Sequence, residues 1–198
     1  MRMGLRKRRV SDWFARSMTQ FFKFFADVFF AGRYGNRAVV LETIAAVPGM
    51  VAGMWIHLKS LRKLQKGNGT KLHELLAEAE NERKHLLFFM EIAHPNWLER
   101  FIVVVAQFIF WHYYLLVYIV SPKTAHKMVY YFEEEAVQSY TSYLKQIEEG
   151  KIENVPAPQI AIDYYGLPSC ARLSDMVRRV RDDEQKHADA NLQWSKTH

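Results

Sequence analysis

The sequence predicts an all-α fold, and three observations carry that prediction. Helix-forming residues dominate the 198-residue chain, and the few Gly and Pro residues fall at recognisable breaks. Residues 11–31 separate cleanly into an apolar and a polar face at helical spacing. Most informative are two Glu-x-x-His motifs, Glu82-Arg83-Lys84-His85 and Glu184-Gln185-Lys186-His187, each preceded by a lone glutamate, Glu42 or Glu133, in a helix-like segment.

Residues i and i+3 lie roughly 60° apart around a helix, so the Glu and His of one motif can reach one ion. The order Glu, Glu-x-x-His, Glu, Glu-x-x-His is the ligand set of a ferritin-like di-iron carboxylate four-helix bundle, one ligand group per helix. Four carboxylates carry about −4, which two divalent irons would offset, and without metal their burial would be heavily penalised. The pattern asks for metal. At this length one domain with a proper core is expected. We divide the chain into residues 1–33, a basic N-terminus with an amphipathic helix, and residues 34–198, the metal-carrying bundle.

The single cysteine, Cys170, excludes an intramolecular disulfide and a Cys-based iron–sulfur or zinc site. A formal charge of +6 and 14% aromatic residues suit either nucleic acid or an anionic membrane surface. The N-terminal helix decides for the membrane. Arg2, Arg6, Lys7, Arg8 and Arg9 precede it, and Arg16, Lys23 and Asp27 interrupt any signal-peptide core. Trp13, Phe14, Met18, Phe21, Phe22, Phe25, Val28 and Phe29 share one face, with Arg16, Gln20, Lys23 and Asp27 on the other. That distribution suits a helix lying in the interface of one leaflet.

Five further helices follow. The second spans about 36–65 with a bend at Pro48, and Lys66-Gly67-Asn68-Gly69 ends it. Thr70 is the expected N-cap of the third, which runs to about Ala93, before Pro95. The fourth spans about 96–120, and Ser121-Pro122 opens the fifth, which Gly150 closes. Pro156, Pro158, Gly166 and Pro168 make 151–168 a connector, and the last helix covers about 169–194. Residues 101–120 are long and apolar enough to cross a bilayer. A lone crossing would separate Glu82 from Glu133, so this helix is expected to pack on the bundle or lie half-immersed. Trp111, Tyr113, Tyr114 and Tyr118 are expected near the interface.

A third motif match, Glu91-Ile92-Ala93-His94, lies nine residues beyond Glu82, a rotation of about 180°, and runs into Pro95. We assign it to the surface or the helix end. His126, Glu133 and Tyr140 are seven apart and stack on one face of the fifth helix, while Glu134 and Glu135 turn away. Glu184, His187 and Asn191 share a face of the last helix, with Asp183 beside them as an acceptor for a ligand.

The segments Leu41-Glu42-Thr43 through Pro48-Gly49-Met50, Asn81-Glu82-Arg83-Lys84-His85-Leu86, Glu133-Glu134-Glu135-Ala136 and Arg181-Asp182-Asp183-Glu184-Gln185-Lys186-His187 resemble the alternative oxidases. That family consists of non-haem di-iron ubiquinol oxidases bound to one leaflet of a respiratory membrane, and the resemblance runs from about Ser11 to Asn191. It implies Glu42, Glu82, His85, Glu133, Glu184 and His187 as iron ligands and Tyr140 as the redox tyrosine. Arg37, Leu41, Ala136 and Ser139 match the quinol pocket; Asn81 and Asp183 are read as orienting the ligands by hydrogen bonds, and His126 as a hydrogen-bonded structural histidine behind them. Lys84, Phe132 and Leu192 depart from the usual Met, Leu and His without removing a ligand.

The implied reaction oxidises two ubiquinols and reduces O₂ to two waters without proton pumping. A homodimer and no nucleic-acid partner are implied too. The short basic N-terminus favours the cytoplasmic face of a bacterial inner membrane over the matrix face of the mitochondrial one. Without the plant members' N-terminal regulatory cysteine, no disulfide control is expected. Two rivals stand beside this reading: a quinone-linked di-iron hydroxylase, and a membrane-peripheral iron-binding helical protein without turnover.

Overall fold

The computed structural model describes residues 12–24, 33–64 and 69–197. These residues form seven helices and no strand, so the fold is all-α. They are α1 (12–24), α2 (Tyr34–Lys63), α3 (Gly69–Ala93), α4 (Trp97–Val120), α5 (Pro122–Glu148), α6 (Gln159–Tyr165) and α7 (Leu173–Thr197). They divide between two compact units, Gly35–Val120 on the one hand and Met1–Tyr34 with Ser121–His198 on the other.

In the unit of α2, α3 and α4, α2 runs unbroken through the buried Pro48. It meets α3 backbone to backbone. A Cβ built on Gly49 would stand 2.5 Å from the Leu75 carbonyl oxygen and 3.1 Å from Ala79 Cβ, so only glycine permits this approach. α3 already contains Thr70, which therefore is not the capping residue expected before its first turn. At its other end His94 takes φ 46° and donates its backbone N–H to Met90 O, which makes the third Glu-x-x-His match a helix terminus. Asn96 and Glu99 cap α4 reciprocally, Glu99 N–H on Asn96 Oδ1 and Asn96 N–H on Glu99 Oε2, both at 2.9 Å. Asn36 Nδ2 reaches both oxygens of the buried Glu99 at 3.0 Å, which ties the first turn of α2 to α4.

α4 is apolar all round, so its pattern does not say which face turns inward. Phe110, Tyr114 and Tyr118 are buried, whereas Phe101, Val104, Phe108, Ile109 and Leu116 are exposed. Tyr114 and Tyr118 thus pack inside the protein instead of standing at an interface, and burial raises the Tyr118 phenol well above its usual pKa. Gln107, one of the two polar interruptions, donates to Thr43 O of α2 at 2.9 Å.

In the second unit α5 packs along α7, and α6 also touches α7. Ser121 caps α5 ahead of Pro122, its Oγ accepting from Thr124 N–H. The connector after α5 holds α6, with Pro158 before it and Gly166 at φ 60° closing it. A helix of seven residues is too short to show a helical period in the sequence. α7 starts at Leu173, four residues later than expected, with Arg172 N–H bonded to Asp175.

The polar side of α1 is turned to α5. Asp12 pairs with Lys127 at 2.7 Å and accepts from Tyr131, Arg16 lies 4.9 Å over the Tyr131 ring, and Gln20 and Lys23 bind Glu135. Phe22 packs edge-on against Phe132 at 5.8 Å, which gives that departure from the usual Leu a partner. Trp13, Phe21 and Phe24 face outward, Trp13 at 70% exposure. Phe25, Asp27, Val28, Phe29 and the basic residues 2–9 lie outside the described residues.

Candidate metal centre

Each unit supplies one glutamate and one Glu-x-x-His motif. In the first, Glu42 comes from the middle of α2, and Glu82 and His85 come from one face of α3. All three side chains are buried, and each offers a ligand atom within 4.8 Å of the others. His85 Nδ1 stands 3.4 Å from Glu42 Oε2 and 3.7 Å from Glu82 Oε2. In the second unit Glu133 comes from α5, and Glu184 and His187 come from α7, again with ligand atoms within 4.8 Å. His187 Nδ1 lies 3.6 Å from Glu184 Oε2.

These separations suit a shared ion. Two ligands each about 2.1 Å from a first-row divalent metal and 90–120° apart stand roughly 3.0–3.6 Å from one another. Two carboxylates and one imidazole per set match a +2 ion in charge and include hard oxygen donors suited to iron. Both histidines present the same nitrogen to their carboxylates, as one helical spacing used twice would require. Each donor set therefore fits a divalent iron.

The intervening residues of both motifs face away. Arg83 grips Glu80 with two hydrogen bonds at 2.6 and 2.7 Å, and Lys84 lies 3.7 Å from the same carboxylate. Those exposed pairs place Glu80 below its usual pKa and give Lys84, a departure from the usual Met, an ionic partner. In α7, Gln185 bonds Asp189 and Lys186 bonds Asp183.

Around the second set, His126 and Tyr140 are buried on the Glu133 face of α5. Asp183 accepts from Tyr165 Oη at 2.9 Å and from Lys186 at 2.7 Å. Asn191, buried beside the ligands, meets His126 Nδ1 at 3.0 Å. Tyr165 had no periodic signal to reveal it, since α6 is so short. Asn191 was visible as a residue on the ligand face, but its partner lies 65 positions away. Ala136 and Ser139 are half-buried on α5, and Arg37, Leu41 and Asn81 are half-buried on α2 and α3. Burial holds the Tyr143 phenol up at about 12, one turn past Tyr140.

Residues 4–196 match the family model for alternative oxidase. The chain belongs to the alternative oxidase family. It is 52% identical over 183 residues to ubiquinol oxidase 1a, mitochondrial, of Oryza sativa subsp. japonica, covering 92% of this chain and 54% of that protein. Ubiquinol oxidase 1c, mitochondrial, of Arabidopsis thaliana is 50% identical over 190 residues, covering 96% and 56%. Ubiquinol oxidase 1, mitochondrial, of Glycine max is 56% identical over 165 residues, covering 83% and 51%. The chain thus spans about half the length of the curated alternative oxidase relatives it matches. Their names are mitochondrial, so the expectation that favoured a bacterial inner membrane finds no support among them.

Proposed function

We propose that this chain is a membrane-associated quinol oxidase that oxidises two ubiquinols and reduces one O₂ to two waters, without pumping protons. The recurrence of a buried Glu and Glu-x-x-His set in both units of an alternative-oxidase chain carries this reading. Glu42, Glu82, His85, Glu133, Glu184 and His187 would together hold two irons. When bound, that pair supplies the redox chemistry toward O₂. Tyr140 donates hydrogen through its phenol from the buried face of α5. Arg37 donates N–H bonds to a quinol oxygen, and Leu41, Ala136 and Ser139 offer it apolar or small walls. Asn81, Asp183 and His126 orient the ligands by hydrogen bonds.

The outward aromatics of α1 and the exposed apolar side of α4 would sit in one leaflet and admit the quinol from the lipid. Both α2 and α4 are long and apolar enough to cross a bilayer, but the apolar stretch of α2 is 56% buried in protein and that of α4 only 17%. Lying along the leaflet keeps the ligand helices before and after α4 on one side. As in the family reading, the protein would work as a homodimer.

Iron content and ubiquinol-dependent oxygen uptake, measured together on purified protein in liposomes, test the reading. Uptake should rise with iron to two per chain. Tyr140→Phe should keep the iron and lose roughly 100-fold in turnover. Iron binding without uptake would leave a non-catalytic iron protein, and a hydroxylated quinone product would make it a hydroxylase. For the membrane, Trp13, Phe21 and Phe24 should be changed to Ser together, since Phe22 packs inward on Phe132. Each large apolar side chain is worth about 1.5–3 kcal/mol of partition. Vesicle flotation should fall severely; undiminished flotation after a high-salt wash would make α4 the sole anchor.

A further inference from the structure

Asn191 makes two side-chain hydrogen bonds whose polarity can be deduced. Its Nδ2 donates to the His187 carbonyl oxygen at 3.0 Å. A backbone carbonyl only accepts, so the amide NH₂ must face it and Oδ1 must point the other way. Oδ1 lies 3.0 Å from His126 Nδ1. Because an amide oxygen also only accepts, the proton of that bond belongs to His126 Nδ1. In the neutral ring this leaves the lone pair on Nε2. Trp194, one turn along α7 from Asn191, packs against the ring at 5.2 Å between centroids, tilted by 55°.

We infer that Asn191 is a positioning residue: it fixes His126 as the Nδ1–H tautomer and ties α5 to the turn of α7 that carries His187. The inference rests on the proposed role of His187 as an iron ligand. Antiparallel packing explains why this link matters. His126 precedes Glu133 by seven residues along α5, and Asn191 follows Glu184 by seven along α7. The His126–Asn191 pair therefore bridges the same two helices about 10 Å from the Glu133–Glu184 level. A slip between α5 and α7 would break this bridge and misplace the ligands together.

Two variants separate the two bonds. Asn191→Asp keeps an acceptor for His126 but cannot donate to His187 O, and Asn191→Leu keeps the volume and loses both. In full-length protein loaded with Zn²⁺ as a diamagnetic substitute, ¹⁵N-histidine spectra, assigned through His126→Gln, should show Nδ1 of His126 protonated and Nε2 carrying a lone pair. Asn191→Asp should keep that pattern and Asn191→Leu should lose it. With iron, both variants should lose 10–100-fold in iron affinity or kcat, with the quinol KM within about twofold of wild type. A wild-type His126 protonated only on Nε2 would overturn the inference, as would iron affinity and kcat unchanged in both variants. If Asn191→Leu does not fold, Asn191→Asp and the wild-type spectrum still decide. A wild-type protein that binds iron but oxidises no quinol would refute the oxidase reading alone, because the tautomer and the iron affinities are read without turnover.

Discussion

Glu42, Glu82 and His85 have the same ligand formula as Glu133, Glu184 and His187, yet the helices carrying them are held together by different means. α2 and α3 approach backbone to backbone, with Gly49 against Leu75 O and Ala79. α5 and α7 contain no glycine, and beside their buried apolar residues they carry a buried polar link, His126 to Asn191. Burial differs as well: His85 is fully buried, whereas the His187 side chain is 11% exposed. Close packing fixes distance at little entropic cost but tolerates no added volume. A hydrogen-bonded pair fixes direction as well, and fails when either partner is removed. One metal-ligand spacing can therefore rest on two different supports, and each support has its own weak point.

The largest effects should come from the ligands, where the comparison predicts equality. Glu82→Ala and Glu184→Ala should each abolish tight iron binding and oxygen uptake, since either leaves a buried set one donor short. Glu133→Ala should do the same. Glu135→Ala, two residues on, should spare the iron and instead loosen α1, whose Gln20 and Lys23 it binds. Elemental analysis reads both; equal iron loss in the Glu133 and Glu135 variants would reject the register assigned to α5.

That register was legible because ligands at i and i+3, and polar neighbours at i+7, leave a mark on the sequence whatever surrounds them. The supports left weaker marks. Gly49 reads as helix-weakening until its approach to Leu75 O is seen, and Asn191 reads as one more polar residue on a helix face. For α1 the two faces were separable by period, but the polar one binds Lys127, Tyr131 and Glu135, more than 100 residues away. Local period cannot name such partners. α4 was legible as a helix and not in orientation, because every face of it is apolar; hence the misplacement of Tyr114 and Tyr118.

Gly49→Ala probes the close-packed support at the next level of effect. The new methyl would meet a carbonyl oxygen at 2.5 Å, and backbone cannot swing aside as a long side chain can. Helices α2 and α3 must part, at about 1–3 kcal/mol, or roughly 2–4 °C in Tm per kcal/mol at this chain length. Iron affinity should fall with the stability, because Glu42 rides on α2 and Glu82 on α3. An unchanged Tm would show that the approach yields easily and that packing does not set the distance between these ligands.

The smallest effect should come from the edge of the polar support. Tyr165→Phe removes the phenol that donates to Asp183 Oδ2, while Lys186 still holds Oδ1 at 2.7 Å. The Asp183 carboxylate is partly open to solvent, its side chain 13% exposed, so water can replace the lost donor. The cost should be about 1.5 kcal/mol, the low end for a bond to a charged group. It should appear as a lower denaturation midpoint with the slope m unchanged. Iron content should stay at the wild-type level, since neither Glu184 nor His187 loses a bond to Tyr165. Should the variant lose iron as severely as an Asn191 variant, Tyr165 would belong among the groups that aim Glu184. The support of α7 would then extend through α6, and the contrast with the close-packed α2–α3 pair would be sharper still.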